Sequence, residues 1–208
     1  MNARRMLLVP FGVVLLLGAC SKDEATTPAV PTDVATSHHP HLQWKRYSAL
    51  EADLVQALEL APEELCTEFG LESCINAVHL TPLGGNEPFK SGLLEPTAEP
   101  LATTPAVVDR LLLSACGRRT ELDLAAKKQA KVFQGLDLES DAPSPEDASV
   151  KETVTDLYHR FLARDPDEKE LSIVSGLTRD DKARPVPAKE FATLACYAVG
   201  TSTEFLFF

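Results

Sequence analysis

The stretch "SVKETVTDLYHRFLARDPDEKEL" (residues 149–171) carries the clearest periodicity in the chain. Val150, Val154, Leu157, Phe161 and Leu162 fall on one face of a helix, because three- and four-residue spacings repeat with the helical turn. The pattern breaks at Asp165-Pro166. Proline has a fixed φ and no N–H to donate, so it suits the first position of a new helix, and Asp165 is placed to cap it. Two amphipathic helices joined by a short turn, without alternating strand patterns nearby, set the fold class as mostly α.

The same texture extends in both directions. Towards the C-terminus, "EKELSIVSGL" completes the second helix, and a last helix presents Phe191, Leu194, Ala195, Ala198 and Val199. The ending "EFLFF" is expected to dock into the core. Towards the N-terminus, "ESDAPSPED" (139–147) is an acidic, proline-containing linker that marks a candidate subdivision. Before it, "TELDLAAKKQAKVFQGL" is read as a helix with Leu122, Ala125, Ala126, Gln129 and Phe133 inward. "TTPAVVDRLLLSACG" is read as a separate helix, capped by Thr104 and stopped by Gly117. "TPLGGNEPFKSGLLEPTAEPLATTP" (81–105) is a long Pro/Gly loop. Its Gly84-Gly85 pair is either a turn or a ligand contact. "CINAVHL" is a short strand or a buried helical turn, "APEELCTEF" a short helix begun by Pro62 and ended by Gly70. "KRYSALEADLVQALEL" places Tyr47, Leu50, Leu54 and Leu58 on one stripe. Residues 42–208 are therefore expected to form a single helical domain of about seven helices.

The first 20 residues, "MNARRMLLVPFGVVLLLGAC", combine Arg4 and Arg5 with an apolar run. Met6 to Ala19 supplies 14 residues, interrupted by Pro10 and two glycines. A bilayer-spanning helix needs about 20, whereas a secretory leader needs only such a short run. Leu17, Gly18, Ala19 and Cys20 resemble the bacterial lipobox. That resemblance implies cleavage after Ala19 and acylation of Cys20, and Ser21 in the next position implies export to the outer membrane. Two or more acyl chains anchor a protein stably. Residues 20–41 have no apolar period and are rich in Pro, Thr, Ser and Ala. They read as a disordered tether that spans about 25 Å on average. His38, His39 and His41 lie at its end and read as solvated linker.

Removing residues 1–19, with two arginines and no acids, takes the net charge from −11 to −13. So acidic a chain disfavours nucleic acid as a partner. With Cys20 set aside, Cys66, Cys74, Cys116 and Cys196 make an even number, and an oxidising compartment favours disulfides. Three pairings can be drawn. We favour Cys66–Cys74, which closes a short loop, and Cys116–Cys196, which ties a central helix to the last. The competing reading is a metal site from Cys66, Cys74, His79 and Cys116, since Cys₃His sets bind zinc.

The last third is similar to the C-terminal helical segment of exported planctomycete-type proteins that accompany c-type cytochrome domains. Leu157, Tyr158, Leu162, Arg164, Pro166, Glu170, Leu171, Ser202, Glu204, Phe205, Leu206 and Phe207 carry the resemblance, over about 55 of the 208 residues. It implies an exported helical envelope protein, with Arg164 and Glu204 pairing where helices meet and Tyr158 and Phe205 filling the core. No CxxCH haem-attachment motif is present, and no cofactor is implied. Nor does the chain contain Gly-x-Ser-x-Gly, Ser-x-x-Lys, His-Glu-x-x-His or a phosphate-binding Gly-x₄-Gly-Lys. The sequence thus points to a lipoprotein held at the outer membrane through Cys20, a non-catalytic accessory or scaffold with an envelope protein as partner. A periplasmic enzyme or redox accessory of c-type cytochromes, and a metal-binding module, are the alternatives.

Overall fold

The computed structural model describes residues 42–208 apart from 71, 93 and 98. Cys20, the leader, the tether and the three tether histidines lie outside the described residues. Five helices of eight residues or more carry the domain: α1 Tyr47–Leu58, α4 Thr104–Ala126, α5 Ala148–Leu162, α6 Glu168–Ser175 and α7 Ala188–Gly200. The short helices α2 Pro62–Leu65, α3 Pro88–Ser91 and α8 Thr203–Leu206 have four residues each. A two-stranded antiparallel hairpin, β1 Thr67–Glu68 and β2 Glu72–Ser73, is followed by a single π-helical turn, Cys74–Val78.

The expected stripes build one core. Leu50, Leu54 and Leu58 of α1, Val108, Leu111, Leu112 and Ala115 of α4, and Val150, Val154, Leu157 and Phe161 of α5 are all buried. Phe191, Ala195 and Val199 of α7 join them, whereas Leu194 is 38 % exposed and takes no part. α7 packs most extensively along α4 and also contacts α5. Gly200 lets α7 come close to α4 and α5. A Cβ built there would sit 2.7 Å from Leu112 Cδ2 and 3.1 Å from Phe161 Cε1.

The two helices read before and after Gly117 are one. α4 runs unbroken for 23 residues, because Gly117 faces open space and costs only its intrinsic ~1 kcal/mol while the helix on both sides is held by burial. Thr103, not Thr104, occupies the cap position; Thr104 Oγ1 instead accepts from Leu101 N at 2.9 Å and donates to the Pro82 carbonyl. The inward face of the second half also differs from expectation. Ala125, Ala126 and Gln129 are exposed, and the stripe continues through Cys116, Arg119, Thr120 and Asp123. Phe133 is buried but lies beyond the helix.

Two more boundaries move for local reasons. "APEELCTEF" is helical only to Leu65; the Cys66–Cys74 disulfide and the Cys74 N–H donating to Cys66 O (3.2 Å) close a hairpin instead. Gly70 turns it at φ +96°, a region that favours glycine. The cap of α6 is Asp167 and not Asp165. Asp167 Oδ1 accepts from Glu170 N at 2.7 Å, and Glu170 Oε2 accepts from Asp167 N at 2.8 Å, a reciprocal capping box. Glu170 is held over that N–H by Arg164, which fixes the register.

Candidate functional site

Three side-chain clusters bear on function. The first is the joint between α5, α6 and α8. α5 ends at Leu162, and Ala163 (φ +54°) turns the chain so that Arg164 reaches across. Its guanidinium donates to both oxygens of Glu170 (2.8 and 2.7 Å) and to both of Glu204 (2.8 and 2.6 Å). Such forked contacts suit the planar geometry of arginine. Hydrogen bonds from Arg164 and from the Asp167 amide hold Glu170 down to about 2, and the Arg164 hydrogen bonds also lower Glu204. Arg164 lies 5.3 Å from the Tyr158 ring, and Phe161 meets Phe205 edge-on at 4.9 Å. Burial pushes the Tyr158 hydroxyl up. Tyr158, Arg164, Glu170, Glu204 and Phe205 thus meet at this joint, and the partners of Arg164 are inside the domain.

The second cluster surrounds the hairpin. Cys66 pairs with Cys74 and Cys116 with Cys196; the latter joins α4 to α7 across 80 residues. His79 Nε2 lies 2.8 Å from Glu68 Oε1, and Arg110 Nε lies 3.0 Å from the same oxygen. Glu68 and the Cys66 and Cys74 sulfurs lie within 4.8 Å of one another. These sulfurs are bonded to each other, however, and Cys116 is engaged elsewhere, so no thiolate is left for the Cys₃His set. The metal reading of Cys66, Cys74, His79 and Cys116 is corrected on that ground.

The third cluster is where the chain enters the domain. Trp44 pairs with Phe207 in an antiparallel bridge, flanked by Lys45 N donating to Leu206 O (2.7 Å) and Phe208 N donating to Gln43 O (2.8 Å). The C-terminal "EFLFF" thus docks, with Phe205 buried and Phe208 67 % exposed. Lys45 Nζ lies 4.4 Å from the centre of the Phe205 ring and 2.7 Å from Asp53. Two clefts flank Trp44. One, about 490 Å³, is lined by Leu42, Arg46, Pro100 and Phe208; the other, about 270 Å³, by Leu50, Val108 and Leu206. The Trp44 indole N–H is buried and finds no hydrogen-bond partner among the described residues. Gly84 (φ +76°) and Gly85 form a turn pressed onto this region; a Cβ on Gly84 would lie 2.7 Å from the Trp44 ring, and one on Gly85 would overlap Leu80.

Sequence reasoning missed one buried network. Asp123 accepts from Arg119 (2.6 Å) and from the backbone N–H groups of Lys131, Val132 and Phe133 (2.9 Å each). Its carboxylate cradles the chain as it leaves α4 and seats Phe133 in the core. Arg119 and Asp123 stand four residues apart on the same stripe as Leu112 and Cys116. A polar pair on an apolar face is the signal that finds them.

Compared with family models, characterised proteins and solved structures, the chain matches none.

Proposed function

We propose that this chain is a bacterial lipoprotein, anchored to the outer membrane through acylated Cys20, that serves as a non-catalytic accessory or scaffold subunit of a cell-envelope assembly. One observation carries the reading. Of five cysteines, four are consumed in two disulfides, and the fifth, Cys20, stands at the end of a leader-like run in a Leu-Gly-Ala-Cys sequence. Disulfides persist in oxidising compartments, so the domain's chemistry agrees with export. The most strongly shifted carboxylate, Glu170, is engaged in a helix joint, which supports a structural role for that cluster.

The test is fractionation. Wild-type protein is expected in the membrane pellet, extracted by detergent and not by salt. Cys20→Ala is expected in the soluble fraction, or retained as an uncleaved precursor that takes up no labelled palmitate. Palmitate incorporation into Cys20→Ala would defeat the proposal. Crosslinking in intact cells, followed by purification of solubilised wild-type protein, is expected to recover a stoichiometric envelope protein. A purified domain that turns over a substrate would overturn the non-catalytic part.

A further inference from the structure

Among the described residues eight large apolar side chains stand in solvent; Phe69, Leu113, Ile173 and Leu194 are scattered singly, and the other four share one region. Leu42 is 70 % exposed and Phe208 67 % exposed, and the two line the same 490 Å³ cleft beside Trp44. The Pro/Gly excursion between Leu83 and Thr104 starts and finishes at this end. Tyr47 N donates to Leu83 O at 2.7 Å, Thr104 Oγ1 donates to Pro82 O, and Arg46 Nη2 donates to Thr97 O at 3.3 Å. That excursion carries Phe89 and Leu94, which are 101 % and 89 % exposed. Four large apolar side chains therefore belong to one end of the domain or to the loop rooted there. It is also the end at which the chain departs, at residue 42, towards Cys20.

We infer that this end is a membrane-contacting face: Leu42, Phe89, Leu94 and Phe208 enter the outer acyl layer of the bilayer that holds the Cys20 lipid. The inference rests on the lipid anchor proposed above. The 21 residues between Cys20 and Leu42 span about 25 Å on average when flexible, so the face is held within reach of the bilayer at high effective concentration. Exposed Phe and Leu gain by leaving water, and Trp is favoured where an apolar surface meets a polar one. Charge selects the lipid. Around the patch Arg46 and Lys90 stand against Glu87, Glu95 and Glu99, a net charge of −1, while the whole chain carries −11. The face thus suits zwitterionic headgroups and gains nothing from anionic ones.

Trp44 is the only tryptophan, which makes it a reporter at the site itself. The experiment uses residues 20–208 with Cys20→Ala, so that no acyl chain contributes, and phosphatidylcholine vesicles with brominated chains. Trp44 fluorescence is expected to be quenched saturably. Serine at all four positions (Leu42, Phe89, Leu94, Phe208) should weaken partitioning at least tenfold. Ile173→Ser, which alters an exposed apolar residue on α6, should leave it unchanged. Far-UV circular dichroism and the urea midpoint verify that each variant is folded. Absence of quenching, equal partitioning by the four-serine variant, or equal weakening by Ile173→Ser overturns the inference. So does a dimer in sedimentation that the four serines abolish without any vesicle binding, because the patch then serves self-association. An unacylated Cys20 in cells would defeat the anchor and leave the vesicle result standing, so the two failures are distinguishable.

Discussion

Removing the Asp123 carboxylate should unseat the segment after α4. Asp123 and Arg119 have side chains 0 % and 5 % exposed. Asp123→Ala takes the acceptor from three backbone N–H groups, two of them in fully buried hydrogen bonds. Each orphaned buried donor costs about 1–3 kcal/mol. Among the described residues, the substitution also leaves the Arg119 guanidinium, whose Nε has no partner there, with the single 3.4 Å bond to Glu59 O. Breaking one side of a buried pair costs about 3–5 kcal/mol. These terms overlap, because relaxation and entering water relieve both, so the expected total is about 4 kcal/mol. A domain of this size has only about 5–15 kcal/mol in all. Asp123→Asn keeps the volume and one acceptor oxygen and should lose about 2 kcal/mol. The assay is urea unfolding followed by circular dichroism at neutral pH with disulfides intact. The midpoint should fall for both variants, with the slope unchanged if unfolding stays cooperative. A loss under about 1 kcal/mol for Asp123→Ala would refute the claim that this carboxylate anchors residues 131–133.

The remaining predictions concern the staples, the joint and the tightest contact. Cys116→Ala/Cys196→Ala opens a loop of 80 residues and should cost about 4.5 kcal/mol, against about 2.5 kcal/mol for Cys66→Ala/Cys74→Ala with its separation of 8, as the loop-entropy relation gives; matched urea titrations measure the order, and a reversed order counts against it. Glu170 is lowered in the folded state from an ordinary 4.5 to about 2, so its contribution is fully present above pH 4.5 and is lost as pH falls through about 2. The melting temperature of wild type should therefore drop more steeply over that window than that of Glu170→Gln, and parallel pH profiles would contradict the assignment. Gly200→Ala forces a Cβ to 2.7 Å from Leu112, which is fully buried; overpacking should destabilise by about 1–3 kcal/mol, and a calorimetric melt at or above wild type would show that α4 and α7 have room to part.

Where a residue's role depends on its own helix face, the sequence was sufficient. Leu50, Leu54 and Leu58 of α1, and the α5 stripe from Val150 to Phe161, are apolar at helical spacing and buried as that spacing requires. The expected Arg164–Glu204 pair forms, at the joint between α5, α6 and α8. On α4 polarity does not mark exposure. Arg119 and Asp123 continue the α4 stripe as charged residues, whereas Ala125, Ala126 and Gln129 face solvent. Long-range pairing inverted the usual assignment, because Asp123 finds its donors in residues 131–133, beyond the helix end. Gly117 misled for a related reason. A glycine lowers local helix propensity, yet tertiary packing over 23 residues outweighs about 1 kcal/mol. The Trp44 cleft was invisible because it needs residues from 42–46, 100–108 and 206–208 brought together.

The central claim is that Cys20 is the acylated first residue of the mature protein. Mass spectrometry of the N-terminal peptide, from protein extracted out of bacterial membranes with detergent, tests it most directly. The expected peptide begins at Cys20 and carries the added mass of a diacylglyceryl group on sulfur and an acyl group on the α-amine. A peptide with an unmodified Cys20, or one whose first residue lies elsewhere, would contradict it.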